Sequence, residues 1–267
     1  MPFSFFQSPK RKAPDVHKLD PLVESVLSQG SPTTALRPRR VAVPSFGSLG
    51  REKAAAAAFV IENFLTAEEC QALIHLSEEC GYEQALVNIG GAQKAVDAVR
   101  RSGRVLLDSK SGARVLFERL EPHLLALGLE HGPRGGWRRC VELNERLRFL
   151  KYDPGDYFKP HQDGRYVRER GEEREGDESL LTLMLYLNTP EKGGSTNFLG
   201  AGPAACVSPT TGMALIFDHD LLHEGATLEC GQKYCIRTDV MYTRRADNVA
   251  PRVPDADAPS AEGVRVS

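Results

Sequence analysis

The sequence predicts a mainly β fold of the α+β class: a jelly-roll barrel braced by helices on one face. Three observations lead there. In the first half apolar residues recur with helical spacing, and from Glu145 onward the period shortens to two. The runs after Glu145 are short, rich in Leu, Ile, Val, Phe and Tyr, and broken by Gly and Pro. Helices gathered ahead of the strands, rather than alternating with them, end up on one side of a sheet structure.

Residues 1–55 carry Pro, Ser, Gly and Arg with scattered hydrophobes and no sustained period, the composition of a disordered arm. The folded domain spans 56–245 and opens with an apolar strand over 58–65. Thr66 and Glu69, three residues apart, form a capping box that starts a helix running to Cys80. Leu73, Ile74 and Ser77 mark its buried stripe, and Gly81 stops it. A second helix over 111–127 places Val115, Leu116, Leu120 and Leu124 on one face. Strands follow at 147–152, 179–187, 213–217 and 233–242, within a barrel over about 145–244. Between the first two lies a hydrophilic stretch, 165–179, placed to serve as a flexible lid. The tail, 246–267, reads as disordered like the arm.

A chain of 267 residues fits one medium domain with appendages. A net charge of −2 and an isoelectric point near 6.4 argue against nucleic acid as a partner of the whole domain. No apolar run approaches the roughly 18–20 residues of a membrane span, so no membrane partner is expected. The first residues put their charges after a short apolar patch, the reverse of a secretory signal. The six cysteines include no C-x-x-C pair and read as reduced thiols of a cytoplasmic or nuclear protein. Phe5 and Phe6, followed by Pro9 and the basic Lys10–Lys12, resemble the latter half of a sliding-clamp-binding peptide and a nuclear import signal. The upstream Gln and aliphatic positions of a clamp peptide are missing, so a generic basic arm is the better reading.

The chemistry concentrates at His161, Asp163 and His223. Two histidines and a carboxylate are the ligand set of a mononuclear non-haem Fe(II) site with open coordination positions. Residues two apart on a strand point the same way, so His161 and Asp163 can share one metal while Gln162 points elsewhere. A histidine taken alone is more often a surface or core residue, and His17, His75, His123 and His131 are read so. His219 competes with His223 for the third position, because both follow the strand that ends at Phe217.

The surroundings carry a family resemblance. The stretch 150–163, LKYDPGDYFKPHQD, resembles the first metal strand of the prolyl 4-hydroxylase-type, 2-oxoglutarate- and Fe(II)-dependent dioxygenases. LMLYLN (183–188), GGSTNF (193–198), PTTGMALIF (209–217), HEG (223–225) and GQKYCIR (231–237) resemble that family's later segments in the right order. The resemblance is strong over 145–244 and looser over 58–140. It implies a double-stranded β-helix (jelly-roll, cupin-like) barrel, and His161, Asp163 and His223 as catalytic metal ligands. It sets Lys233, ten residues after His223, as partner of the distal carboxylate of 2-oxoglutarate. Arg237 lies four residues on, on the same strand face, and could take that carboxylate bidentately or hold an anionic part of the substrate. Tyr152 and Tyr186 match positions lining the co-substrate pocket, with core packing as the plainer alternative. Thr182 reads as filler, Arg101 and Arg104 as solvated arginines, and Trp137 as either a loop anchor or a substrate contact.

The cofactors implied are Fe(2+), 2-oxoglutarate and O2, with L-ascorbate. The reaction implied is hydroxylation of a C–H bond, and the substrate is a prolyl residue of a protein or peptide. Two alternatives stand beside it: a dioxygenase acting on a small metabolite, another side chain or a nucleic-acid base, and a non-enzymatic binding module on the same fold.

Overall fold

The computed structural model describes residues 20–28, 37–44, 57–89, 92–94, 96–133, 136–137 and 139–244. Two antiparallel sheets carry the architecture. The larger runs in the order β1 (Arg39–Arg40), β2 (Ala58–Ile61), β15 (Ala214–Asp218), β11 (Glu178–Tyr186), β18 (Lys233–Thr243), β9 (Arg146–Tyr152), β7 (Gly103–Asp108) and β3 (Glu83–Gln84), with β8 (Arg139–Leu143) paired to the far end of β18. The smaller runs β14 (Ala205–Val207), β13 (Thr196–Phe198), β16 (His223–Gly225), β10 (Tyr157–His161) and β6 (Arg100–Arg101). Two-stranded pairs join β12 (Lys192–Gly193) to β17 (Leu228–Cys230) and β4 (Val87–Ile89) to β5 (Ala92–Lys94).

Alternation along the strands of the larger sheet separates two cores. Phe149, Leu183, Leu185, Ile216 and Ile236 face the helices α2 (Ala67–Cys80) and α3 (Lys110–Ala126). Their strand neighbours Leu150, Tyr186, Leu215, Phe217 and Cys235 face the smaller sheet, where Phe198 and Val207 close on them. Both faces of the sheet are therefore buried, which is why its central strands read as unbroken apolar runs. The site lies in the second core, between the sheets.

The helices form where the local signals put them. Thr66 and Glu69 make the expected reciprocal capping box, and Gly81, at φ 77°, ends the helix. The second helix is capped by Ser109 and buries Leu116, Leu120 and Leu124. The first apolar strand is shorter than expected: β2 stops at Ile61, and the chain turns through Asn63, at φ 57°.

Two expectations need correction. Within 1–55, read as a disordered arm, Asp20–Ser28 is a helix (α1) and Arg39–Arg40 pairs with β2. α1 contributes Val23 and Leu27, both buried in the helix-side core, and Ser109 and Ser111 donate to the Asp20 carboxylate at 2.5 and 2.6 Å. A nine-residue helix is too short a pattern to stand out, and too short to be stable alone; α3 supplies the partner face that lets it fold. The remainder of that arm, with Phe5, Phe6 and Lys10–Lys12, and the tail over 246–267 lie outside the described residues.

The stretch 165–179 is not a free lid. Arg168, largely buried, pairs with Glu142 and Glu145 at 2.6 and 2.8 Å, and Arg174 pairs with Asp177 at 3.0 Å, fastening the segment beside β8. Trp137 is an anchor: it packs edge-on against Tyr242, with Arg244 4.3 Å from its ring centroid.

Candidate functional site

His161 ends β10 and His223 opens β16, and the two are cross-strand partners. Their rings stand 4.3 Å apart, centroid to centroid. Asp163 lies just past the end of β10 rather than within the strand, and its amide donates to the His219 carbonyl at 3.1 Å. Each imidazole sets Nδ1 against the carbonyl two residues before it, Lys159 at 2.8 Å and Leu221 at 3.0 Å. A carbonyl only accepts, so Nδ1 carries the proton and Nε2 keeps its lone pair. Both Nε2 atoms face the Asp163 carboxylate, each 3.8 Å from one of its oxygens. The three donor atoms all lie within 4.8 Å of one another.

Electrostatics match that geometry. Burial, then the neighbouring His223, lowers His161 to about 4, and burial also lowers His223. Burial opposes ionisation of Asp163, but Arg237, the two imidazoles and the Thr182 hydroxyl outweigh it and bring the carboxyl to about 2. Two neutral imidazoles and one carboxylate, held in a single cluster, fit a divalent transition-metal ion.

Around the carboxylate sits a buried network. Thr182 donates to Asp163 Oδ2 at 2.5 Å. Arg237 Nη2 stands 3.1 Å from both Asp163 Oδ1 and Asp239 Oδ1, and Arg148 donates to Asp239 Oδ2 at 3.1 Å. His219, fully buried, lies 3.5 Å from Asp239 rather than at the triad. Of the two histidines that follow the Phe217 strand, His223 stands with His161 and Asp163, and His219 does not.

Lys233 occupies the other end of the cavity. It opens β18, is 3 % exposed, and donates to the Gly194 carbonyl at 2.6 Å. Its Nζ lies 5.0 and 5.5 Å from the ring centroids of Tyr152 and Tyr186. Gly194 sits at φ 72°, and a Cβ there would come within 3.2 Å of Lys233 Cδ, so the turn needs glycine on both counts. Among the described residues no carboxylate pairs with Lys233, whereas Arg237 already holds two. Tyr186 shares its hydroxyl with Thr196 at 2.7 Å, and Tyr152 is buried beside Arg100 and Ser102. One cavity is lined by His161, Asp163, His223, Tyr152, Lys233 and Arg237, and Arg100 and Arg148 border it too.

Three residues of this site escaped the sequence reading, Arg148, Asp239 and Arg100, and Thr182, read as filler, instead donates to Asp163. Arg237 and Asp239, two opposite charges two apart in the middle of a buried strand, were the signal available for the network. Thr182 meets Asp163 only because β11 places it opposite Asp239 of β18, a pairing no local pattern contains. Arg100, rather than Arg101 or Arg104, borders the cavity; Arg101 reaches Asp156 instead, at 3.7 Å.

Residues 147–238 match the model of the 2OG-Fe(II) oxygenase superfamily. The fold is that superfamily's double-stranded β-helix. A prolyl hydroxylase from Trichoplax adhaerens, solved in complex with a hypoxia inducible factor oxygen degradation domain peptide fragment, aligns at a TM-score of 0.50 and 15 % identity, covering 88 % of this chain and 94 % of that one. Among curated relatives, prolyl 4-hydroxylase 1 of Arabidopsis thaliana is 23 % identical over 195 residues, 66 % of this chain and 65 % of the relative. Probable prolyl 4-hydroxylase 8 of the same plant is 28 % identical over 144 residues, 54 % of this chain and 45 % of the relative. The chain spans between about half and two thirds of the length of these relatives. Over 147–238 the chain is thus similar to the 2OG-Fe(II) oxygenases, and over a longer stretch, below 30 % identity, to prolyl 4-hydroxylases. No helix among the described residues is long and apolar enough to cross a membrane.

Proposed function

We propose that this chain is a 2-oxoglutarate-dependent Fe(II) dioxygenase that hydroxylates a C–H bond, with a prolyl residue of a protein or peptide as its substrate. The observation that carries the reading is a single cavity holding a three-donor cluster at one end and, at the other, a buried lysine with no carboxylate partner among the described residues. His161, Asp163 and His223 take the metal. Lys233 takes the distal carboxylate of 2-oxoglutarate, because a buried cation needs a counter-charge and Arg237 is already neutralised. Tyr152 and Tyr186 wall the lysine's end of the pocket. Iron, when bound, supplies the O2 chemistry that converts 2-oxoglutarate to succinate and CO2 and leaves one oxygen atom on the substrate carbon.

The protein's own contribution is positional. The Nδ1–carbonyl contacts aim both Nε2 lone pairs inward, and Thr182 and Arg237 hold the Asp163 carboxylate between them. Phe158 stacks on His161 at 3.5 Å and shields one side of that ligand from water. The oxygenase domain is drawn over 56–245, with α1 and β1 built onto it. The prolyl assignment rests on the named relatives and on the peptide held by the Trichoplax structure. Cysteines that are all free suit a cytoplasmic or nuclear setting.

The test is mass spectrometry of prolyl peptides incubated with the protein, Fe(II), 2-oxoglutarate and O2. Products heavier by one oxygen at proline, formed with stoichiometric succinate and lost in Asp163→Ala, are expected. Succinate formation driven only by a small metabolite or a nucleic acid would overturn the substrate assignment.

A further inference from the structure

We infer that Arg100 is a second carboxylate-binding residue of this cavity, working beside Lys233. Arg100 sits on β6, paired across to Phe158 of β10, and borders the same cavity as the triad and Lys233. It is 8 % exposed. Its Nε donates to Ser102 Oγ at 3.0 Å, and its guanidinium carbon lies 4.6 Å from the centroid of Phe158, the ring that stacks on His161. Tyr152 is buried beside Arg100, and Lys233 Nζ lies 5.0 Å from its ring centroid, so Arg100 and Lys233 border the same tyrosine. Arg100 Nη2 is buried and has no hydrogen-bond partner among the described residues.

A buried guanidinium nitrogen without an acceptor is costly, and evolved structures seldom leave one so. The other charges of the cavity do not answer it. Arg148 and Arg237 share Asp163 and Asp239, two guanidiniums for two carboxylates; Arg237 Nε is also buried without a partner, but its Nη2 is held by both carboxylates, whereas Arg100 meets none among the described residues. Glu224 also borders the cavity, and its carboxylate accepts from Asn197 at 3.0 Å. Positive charge is in excess on this side: burial, then the nearby Arg100 and Arg148, hold Arg104 below its ordinary value. Arg100 and Lys233 thus remain as two buried cations in one cavity with no carboxylate among the described residues paired to either. A guanidinium presents parallel donors that match a carboxylate's two oxygens.

The inference rests on the reading of Lys233 as the distal anchor and extends it. The ligand chemistry is a carboxylate, supplied either by 2-oxoglutarate itself or by the primary substrate, as an acidic side chain or free terminus beside the reacting proline. The experiment has an arm for each. The Mn(II)-loaded full chain, which binds without turnover, is titrated calorimetrically with 2-oxoglutarate in wild type, Arg100→Gln, Arg100→Lys and Lys233→Ala. The same proteins, saturated with 2-oxoglutarate, are titrated with proline peptides bearing Asp or Asn next to the proline. Loss of a charge-assisted pair predicts a roughly 10- to 100-fold weakening in Arg100→Gln, partly restored in Arg100→Lys. Weakening of 2-oxoglutarate assigns the carboxylate to the co-substrate. Weakening of the Asp peptide alone, with the Asn peptide unchanged, assigns it to the substrate. Arg100→Gln that binds 2-oxoglutarate and both peptides as wild type does would overturn the inference. Lys233→Ala that binds 2-oxoglutarate normally would overturn the anchor reading instead, so the two failures are separable.

Discussion

Asp163 illustrates how much a metal-type carboxylate depends on residues far from it in sequence. One oxygen receives the Thr182 hydroxyl and the other the Arg237 guanidinium, so its orientation is fixed before any ion arrives. Thr182→Val keeps the shape of a fully buried side chain and removes only the donor. Supporting contacts of this kind are typically worth 10- to 100-fold in metal affinity. Equilibrium dialysis against Fe(II) under anaerobic conditions should show Thr182→Val binding more weakly by about that factor, with the melting temperature little altered. Unchanged affinity would mean the hydroxyl does not position the ligand. Arg237 cannot be removed without consequence for the triad, because its loss also frees Asp163 and Asp239 from their shared counter-charge. At this scale the H-x-D step and the later histidine were legible, since ligand chemistry restricts residue types and strand spacing restricts positions. The supporting shell was not, because Thr182, Arg148 and Asp239 reach Asp163 or Arg237 through cross-strand register.

The elements differ in how openly the sequence declares them. α2 announces itself through a capping box and a terminal glycine, both local devices. The strands of the larger sheet are visible as apolar runs, but their pairing order, β15-β11-β18-β9, is set by contacts distant in sequence. α1 was missed because its stability is tertiary: it buries Val23 and Leu27 against α3. Gly112 of α3 allows that approach, since a Cβ there would stand 2.5 Å from Val23 Cγ1. Glycine to alanine inside a free helix should gain about 1 kcal/mol. Here Gly112→Ala is expected to lower stability, read as a reduced urea midpoint; a raised midpoint would show that α1 yields without cost.

A second consequence belongs to β18. Burial opposes ionisation of Asp239, but Arg237, His219 and Arg148 hold its carboxyl well below the ordinary value of 3.8. A depressed carboxyl contributes stability above its unfolded value and loses it as pH falls through that range. Wild type should therefore lose melting temperature steeply below about pH 4, whereas Asp239→Asn should start lower and respond to acid more weakly. Parallel acid profiles for the two proteins would remove Asp239 from the account.

Across the whole molecule, the two cores explain why the site can be both rigid and accessible. The helix-side core fixes the larger sheet, and the inter-sheet core seats the two histidines on β10 and β16 opposite the cations of β18. Short strands behind a helical first half suggested a jelly roll without separating it from other sandwiches, while the site's closure by two facing sheets came from long-range pairing. Whether one cavity takes a metal through His161, Asp163 and His223 and a dicarboxylate through Lys233 is read by anaerobic titration. Fe(II)-loaded protein is titrated with 2-oxoglutarate while the metal-to-ligand charge-transfer absorbance is followed. Wild type should develop the band and saturate, and His223→Ala should not develop it. Lys233→Ala should require about 30- to 1000-fold more 2-oxoglutarate, the equivalent of roughly 2–4 kcal/mol for a lost charge-assisted pair. A Lys233→Ala titration that overlays wild type, or a normal band in His223→Ala, would contradict it.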